Sequence, residues 1–125
     1  MTMAPRAHSP REDAAQSPPT MKPAELSDVE LIAWVRRSML AAGLAPRLTL
    51  RGYRWRRVHH ASSRELSARL FRHAGPVNLC DVCRERRATH HSIRDGETGP
   101  VFEHHCSECS RNAAPGWYVC VTVGH

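Results

Sequence analysis

Four of the five cysteines stand as two Cys-x-x-Cys pairs, Cys80/Cys83 and Cys106/Cys109. Thiolates at this spacing can share one tight turn and grip a single ion while nearby backbone N–H groups hydrogen-bond the sulfurs. Two such turns complete a four-sulfur tetrahedron, the arrangement that holds structural zinc. The 22 residues from Arg84 to His105 are enough for a hairpin that returns the second turn to the first. A disulfide reading fits less well, because the cysteine count is odd and the N-terminus lacks the apolar stretch of a secretory signal. Iron-sulfur ligation usually gathers three cysteines more closely. The sequence therefore predicts one structural Zn2+ held by Cys80, Cys83, Cys106 and Cys109.

The neighbouring residues suit that ion as supports. His91, His104 and His105 could ligate metal, but four thiolates already fill a tetrahedron, so these histidines are expected beside the site rather than in it. Arg84, Arg86 and Arg87 flank the first pair, where they would offset the net charge of −2 on zinc with four thiolates. Cys120 lies outside the two pairs and reads as a small buried hydrophobe in a strand. An open catalytic zinc would need three protein ligands and a free position for water. The chain has no phosphate-cradling glycine loop, no paired-carboxylate arrangement and no nucleophile set beside a base. It is not expected to be an enzyme.

The elements that must position these cysteines can be read around them. Ala88 to Asp95 and Val101 to His105 suit two strands, and Gly96 to Pro100 between them is rich in turn formers. From Trp117 to Val123, apolar and polar residues alternate as in a third strand. Upstream, Ser27 and Glu30 form a capping-box signature, and Leu26 with Leu31 are placed for a hydrophobic staple. Leu31, Ile32, Trp34, Val35, Ser38, Met39 and Ala42 then make a helical stripe, with Arg36 and Arg37 opposite and Gly43 and Pro46 ending the helix. Leu48 and Leu50, then Tyr53, Trp55 and Arg57, alternate about Arg51-Gly52, which suggests a short basic hairpin. Ser62 and Glu65 offer a second helix start, with Leu66, Leu70 and Ala74 on one face and Gly75-Pro76 as its end.

The chain has 125 residues and a formal net charge of +6, enough for one ordinary domain or two very small ones. Residues 1–24 hold five of the nine prolines and little to bury, so they read as a disordered tail. Met21 is a second candidate start. The whole positive excess lies between Arg47 and His73, where eight arginines face one acid, Glu65. Within that segment Arg47, Arg51, Arg54, Arg56 and Arg57 interleave with Trp55 and Tyr53, a pattern suited to phosphate contact and base stacking. No apolar run is long enough to span a bilayer, so no membrane association is expected and a cytoplasmic location is.

The run Cys80-Asp-Val-Cys83-Arg-Glu85-Arg86-Arg-Ala88-Thr89-His-His91, followed by a glycine-bearing turn and His104-His-Cys106-Ser-Glu-Cys109, resembles the N-terminal zinc module of McsA-type proteins. These are the activator subunits of bacterial protein-arginine kinase and belong among Clp adaptors. The resemblance spans residues 79–110. It implies a structural zinc on Cys80, Cys83, Cys106 and Cys109, and a regulatory or adaptor role with a Clp ATPase or a kinase as protein partner.

The combined expectation is a small α+β protein. A disordered tail (1–24) precedes a basic helical lobe with a short hairpin (25–76), and a four-cysteine, zinc-ribbon-like β module (77–125) follows. Its expected function is that of a zinc-binding regulatory or adaptor protein, the alternative being a nucleic-acid-binding zinc-ribbon protein that uses segment 47–72.

Overall fold

The computed structural model describes residues 9–113 and 116–121. The chain separates into two compact units, Met1–Glu65 and Leu66–His125.

The first unit is helical. α1, Pro10–Ala14, starts at Ser9, whose hydroxyl accepts the Glu12 N–H, with proline at the first helical position and two acids in the first turn,. A single 3-10 turn, Pro23–Glu25, leads to α2, Asp28–Leu44. The expected capping box closes this start: the Ser27 hydroxyl accepts the Glu30 N–H at 3.2 Å, and the Glu30 carboxylate accepts the Ser27 N–H at 3.0 Å. Leu31, Ile32, Val35, Ser38 and Ala41 form its buried face, while Met39, placed on that face by spacing, stays half exposed.

Residues 47–58 are not a hairpin. α3 runs unbroken over Leu50–Ala74. Thr49 caps it, its hydroxyl accepting the Gly52 N–H at 3.1 Å while donating to the Pro46 carbonyl at 2.7 Å. Gly52, read from sequence as the hinge of a turn, sits in the first helical turn because a Cβ there would collide with the Pro46 carbonyl oxygen. The alternation that suggested strands is only two residues deep on one side and three on the other. The longer period wins: Gly52, Trp55, Ser62, Leu66 and Leu70 are all buried at helical spacing,. Arginine is also a good helix former, so nothing between Thr49 and Gly75 stops propagation. Ser62, expected to start a second helix, lies inside this one and donates to the Val58 carbonyl at 2.7 Å.

The core of this unit explains a second departure. Residues 9–17 fall within the expected disordered tail, yet they are ordered against α2 and α3. Ala14 is buried with Ala41, Ala45 and Trp55, and Trp34 packs on that cluster. The Trp55 indole donates to the Gln16 carbonyl at 2.7 Å. Arg37, expected on the outer face of α2, turns to Asp13 in a two-point ion pair of 2.9 and 2.8 Å. Its guanidinium also stacks 4.6 Å from the Trp34 ring centre. One apolar residue and one correctly placed acid order this segment, a signal too sparse for composition to register.

In the second unit, α3 contributes its C-terminal part from Leu66 and ends before Gly75, whose φ is +77. β1, His90–Gly96, pairs antiparallel with β2, Gly99–His105, and with β3, Tyr118–Val121, in the order β2-β1-β3. The β1–β2 connection is only Glu97-Thr98, and Gly99 takes a φ of +138 that a side chain would resist,. Ile93 of β1 and Leu66 and Leu70 of α3 are fully buried. Phe71 packs edge-on against His91 at 4.9 Å and the Ser67 hydroxyl meets the Tyr118 hydroxyl at 2.8 Å, so this part of α3 lies against the sheet. The alternation expected beyond Trp117 supports β3. The side chains of Val119 and Val121, and residue Val123, lie outside what is described.

The Asp13–Arg37 pair yields a direct test. Replacing Asp13 with alanine leaves a partly buried guanidinium unpartnered, which should cost about 1–3 kcal/mol in denaturant unfolding followed by tryptophan fluorescence. An unchanged midpoint would mean that this segment contributes nothing to the fold.

Candidate metal centre

Cys80 and Cys83 sit on a tight loop before β1. Its neck is the bridge between Leu79 and Arg87, supported by the Cys80 N–H on the Arg86 carbonyl at 2.8 Å and the Ala88 N–H on the Asn78 carbonyl at 2.7 Å. The turn tightens at Arg84, whose left-handed φ of 54 returns its N–H to the Cys80 carbonyl at 3.0 Å. Cys106 and Cys109 sit just past β2, where Cys106 also caps the short helix α4, Ser107–Ser110, its sulfur accepting the Cys109 N–H at 3.4 Å.

Hydrogen bonds hold the two cysteine loops together. The Asp81 N–H donates to the His104 carbonyl, and the His104 N–H returns to the Asp81 carboxylate, each at 2.8 Å. The Thr89 N–H reaches the His105 carbonyl at 2.9 Å. An ion pair between Arg86 and Glu108 links the loops on the outside.

The four sulfurs all lie within 4.8 Å of one another, with Cys83 and Cys106 at 4.0 Å, and none is in a disulfide. A tetrahedral zinc with bonds near 2.3 Å would place its sulfurs about 3.8 Å apart. The thiolate set thus fits one metal ion, and its softness suits zinc. Local hydrogen bonds favour the thiolate at Cys80 and Cys106. Burial pushes the Cys80 thiol up, but N–H groups of Cys83, Cys106 and Val82 outweigh it and bring its pKa down to about 6. The Cys109 N–H lowers Cys106. Cys109 is pushed up to about 12, first because its proton is shared with Cys106 and then by burial. Arg86 is raised by Glu108 and, after it, by Cys106, so of the three flanking arginines this one lies against a ligand sulfur.

The sequence-expected ligands therefore converge completely. Cys120 is half-buried, its sulfur 3.3 Å from the Ser67 hydroxyl, and lies outside the cluster. His91, His104 and His105 are buried. His91 and His104 are cross-strand partners whose Nδ1 atoms are 2.8 Å apart, and His104 Nε2 is 2.9 Å from Nδ1 of His73. This chain of three rings escaped sequence reading. Only the two-residue turn fixes the register that pairs His91 with His104, and only α3 brings up His73.

The residues considered for nucleic acid separate. Trp55 is 1% exposed and cannot stack on a base. Arg51 and Arg54 point back to the Ala15 carbonyl and the Ser17 hydroxyl, Arg56 donates to the Arg47 carbonyl, and Arg57 to the Tyr53 hydroxyl. The basic set 47–57 is thus not one flat surface. Among the described residues no helix is long and apolar enough to cross a membrane.

No family model matches this chain, and neither the curated proteins nor the solved structures include one significantly similar to it.

Two outcomes follow from this geometry. The purified protein should carry one zinc per chain by native mass spectrometry, and Cys106→Ser should lose the metal together with the strand signal in circular dichroism, because metal binding and folding are coupled. The second concerns acid. Burial, then His104 and His90, hold His91 down to about 4 from an ordinary 6.5, so it is neutral in the fold. Between these values the unfolded chain takes up a proton that the folded one refuses. The His91 contribution to stability is therefore fully present above about pH 6.5 and is lost as the pH drops toward about 4, by up to roughly 3 kcal/mol. His91→Gln should flatten that slope in urea unfolding of the zinc-loaded protein.

Proposed function

We propose that this protein is a non-enzymatic adaptor or regulator whose C-terminal unit is stapled by one structural zinc and presents a surface to a protein partner. The observation that carries this reading is the clustering of four cysteine sulfurs within 4.8 Å. Four protein thiolates leave an ion no position for water or substrate, the mark of a structural rather than a catalytic site. A 125-residue chain divided into two units has little interior in either, and a metal staple suits so small a fold,.

The surface beside the metal supports the second half of the proposal. Val77, Leu79 and Val82 lie on and around the first cysteine loop and are 64%, 39% and 66% exposed. Apolar side chains held on a metal-fixed loop lose little entropy on docking, which favours binding. The resemblance to McsA-type modules suggests the partner's class, a Clp ATPase or a protein-arginine kinase.

Binding of the zinc-loaded chain to a purified Clp ATPase and to a purified protein-arginine kinase, measured by calorimetry, tests this. Wild type should bind one of them, and Val82→Asp should weaken that binding at least about tenfold while keeping its zinc, since a carboxylate would have to be desolvated at the interface. Binding to neither, or equal binding by the variant, would remove the adaptor reading. A purified chain without metal would remove the structural-zinc reading.

A further inference from the structure

The first unit carries a feature that the zinc centre does not use. Tyr53, Arg56, Arg57, His60, Ala61 and Arg64 line an open groove of about 370 Å³ along one face of α3, and most of its surface is carbon. The spacing is helical, so one straight element sets the whole site and no loop has to order. The two ends of the groove differ. At one end the Tyr53 ring is 49% exposed and Arg57 lies 5.9 Å from its centre. At the other end stands Arg64, about 10 Å further along the axis at 1.5 Å per residue from Arg57. Ala61, exposed and small, forms a low floor between them.

The charge on this face is uncompensated. The only acid in α3 is Glu65, and among the described residues Arg56, Arg57 and Arg64 form no ion pair with a carboxylate. Elsewhere in the same unit the structure pairs arginine carefully, as Arg37 with Asp13 shows. Among the described residues Arg57 is held by the Tyr53 hydroxyl at 3.3 Å and by that ring, and Arg56 by the Arg47 carbonyl at 3.1 Å, hydrogen bonds exchangeable for an anionic oxygen at little loss.

We propose that this face of α3 binds single-stranded nucleic acid. Arg56, Arg57 and Arg64 take successive phosphates, and the Tyr53 ring stacks on an unpaired base. Guanidinium forks match phosphate oxygens in two-point contacts, and base stacking on an aromatic ring is tolerant of sequence. The carbon-rich floor at Ala61 suits a sugar and a base face better than it suits an acidic peptide, whose carboxylates would need polar partners along the whole groove. The site differs from the set expected from sequence. Trp55 is buried in the core and Arg51 and Arg54 are turned away, whereas Arg64 and His60 join it.

The test uses the full, zinc-loaded chain with a fluorescein-labelled mixed-sequence DNA strand, the same strand as RNA, its duplex, and a labelled poly-glutamate peptide. Anisotropy is read across about 50 to 200 mM salt, where phosphate contacts lose affinity steeply. Wild type should bind the single strands most tightly. The double change Arg57→Ala and Arg64→Ala should weaken this at least tenfold and reduce the log–log salt slope by about 1.4, two phosphates at about 0.7 each. Lysine at the same two positions should restore the slope. Tyr53→Ala should weaken binding with the slope unchanged, and Arg11→Ala should alter nothing. Alanine and lysine are both good helix formers, so the variants should keep their helical circular dichroism. No salt-sensitive binding by wild type, wild-type affinity in the double alanine variant, or tighter binding of the duplex or of poly-glutamate would each overturn the assignment. Zinc content is measured on the same samples and reports on the metal centre independently.

Discussion

The tightest constraint in the C-terminal unit is the meeting of four sulfur atoms within 4.8 Å of one another. Two come from a loop whose neck is a single bridge between Leu79 and Arg87, one from a helix of four residues and one from the residue that caps it. Neither piece has enough backbone pairing or apolar area to persist alone. Their approach is carried by a few hydrogen bonds, chiefly the two between Asp81 and His104, and mutual repulsion among four thiolates would work against it. A divalent ion reverses that balance by turning the repelling charges into its ligands, so the donor set is best understood as incomplete without metal.

The N-terminal unit solves the same shortage of interior by another route. Its centre is Trp55 among alanines, with Trp34 tilted against it at 6.4 Å and the Asp13–Arg37 pair laid across the rings. Here a charged pair closes the edge of a small aromatic cluster, with carbon below it and water on one side. Such a pair fixes geometry more than it adds net energy, since both ions surrender hydration to form it.

How much of this could be read from the chain depended on whether the signal was local. Cys-x-x-Cys repeats, the Ser27/Glu30 capping box and the Gly75 stop each state their structure within four residues, and each is found as expected. The hairpin was legible for the same reason, as two short strands about the turn formers of Gly96 to Pro100, but its register was not, because only the folded chain narrows that turn to Glu97 and Thr98. The misreadings share the opposite property. Two short alternations around Gly52 looked like strands, but the period that governs α3 becomes visible only when Trp55 is joined to Ser62, Leu66 and Leu70. The ordering of residues 9–17 depends on Arg37 and Trp55, more than twenty residues away, and no composition average carries that pairing. The His91–His104–His73 chain needed two elements to be placed before any ring could find its neighbour.

The register of the hairpin has a further meaning. In a strand a slip of one residue turns every side chain to the other face and moves the end of the strand by about 3.3 Å. Cys106 follows directly on His105, the last residue of β2, so such a slip would carry its sulfur well out of bonding range of an ion gripped by Cys80 and Cys83. A metal ion held by these sulfurs would thus gauge strand alignment: Cys106 and Cys109 both follow β2 and reach the sulfurs of Cys80 and Cys83 only on the correct pairing.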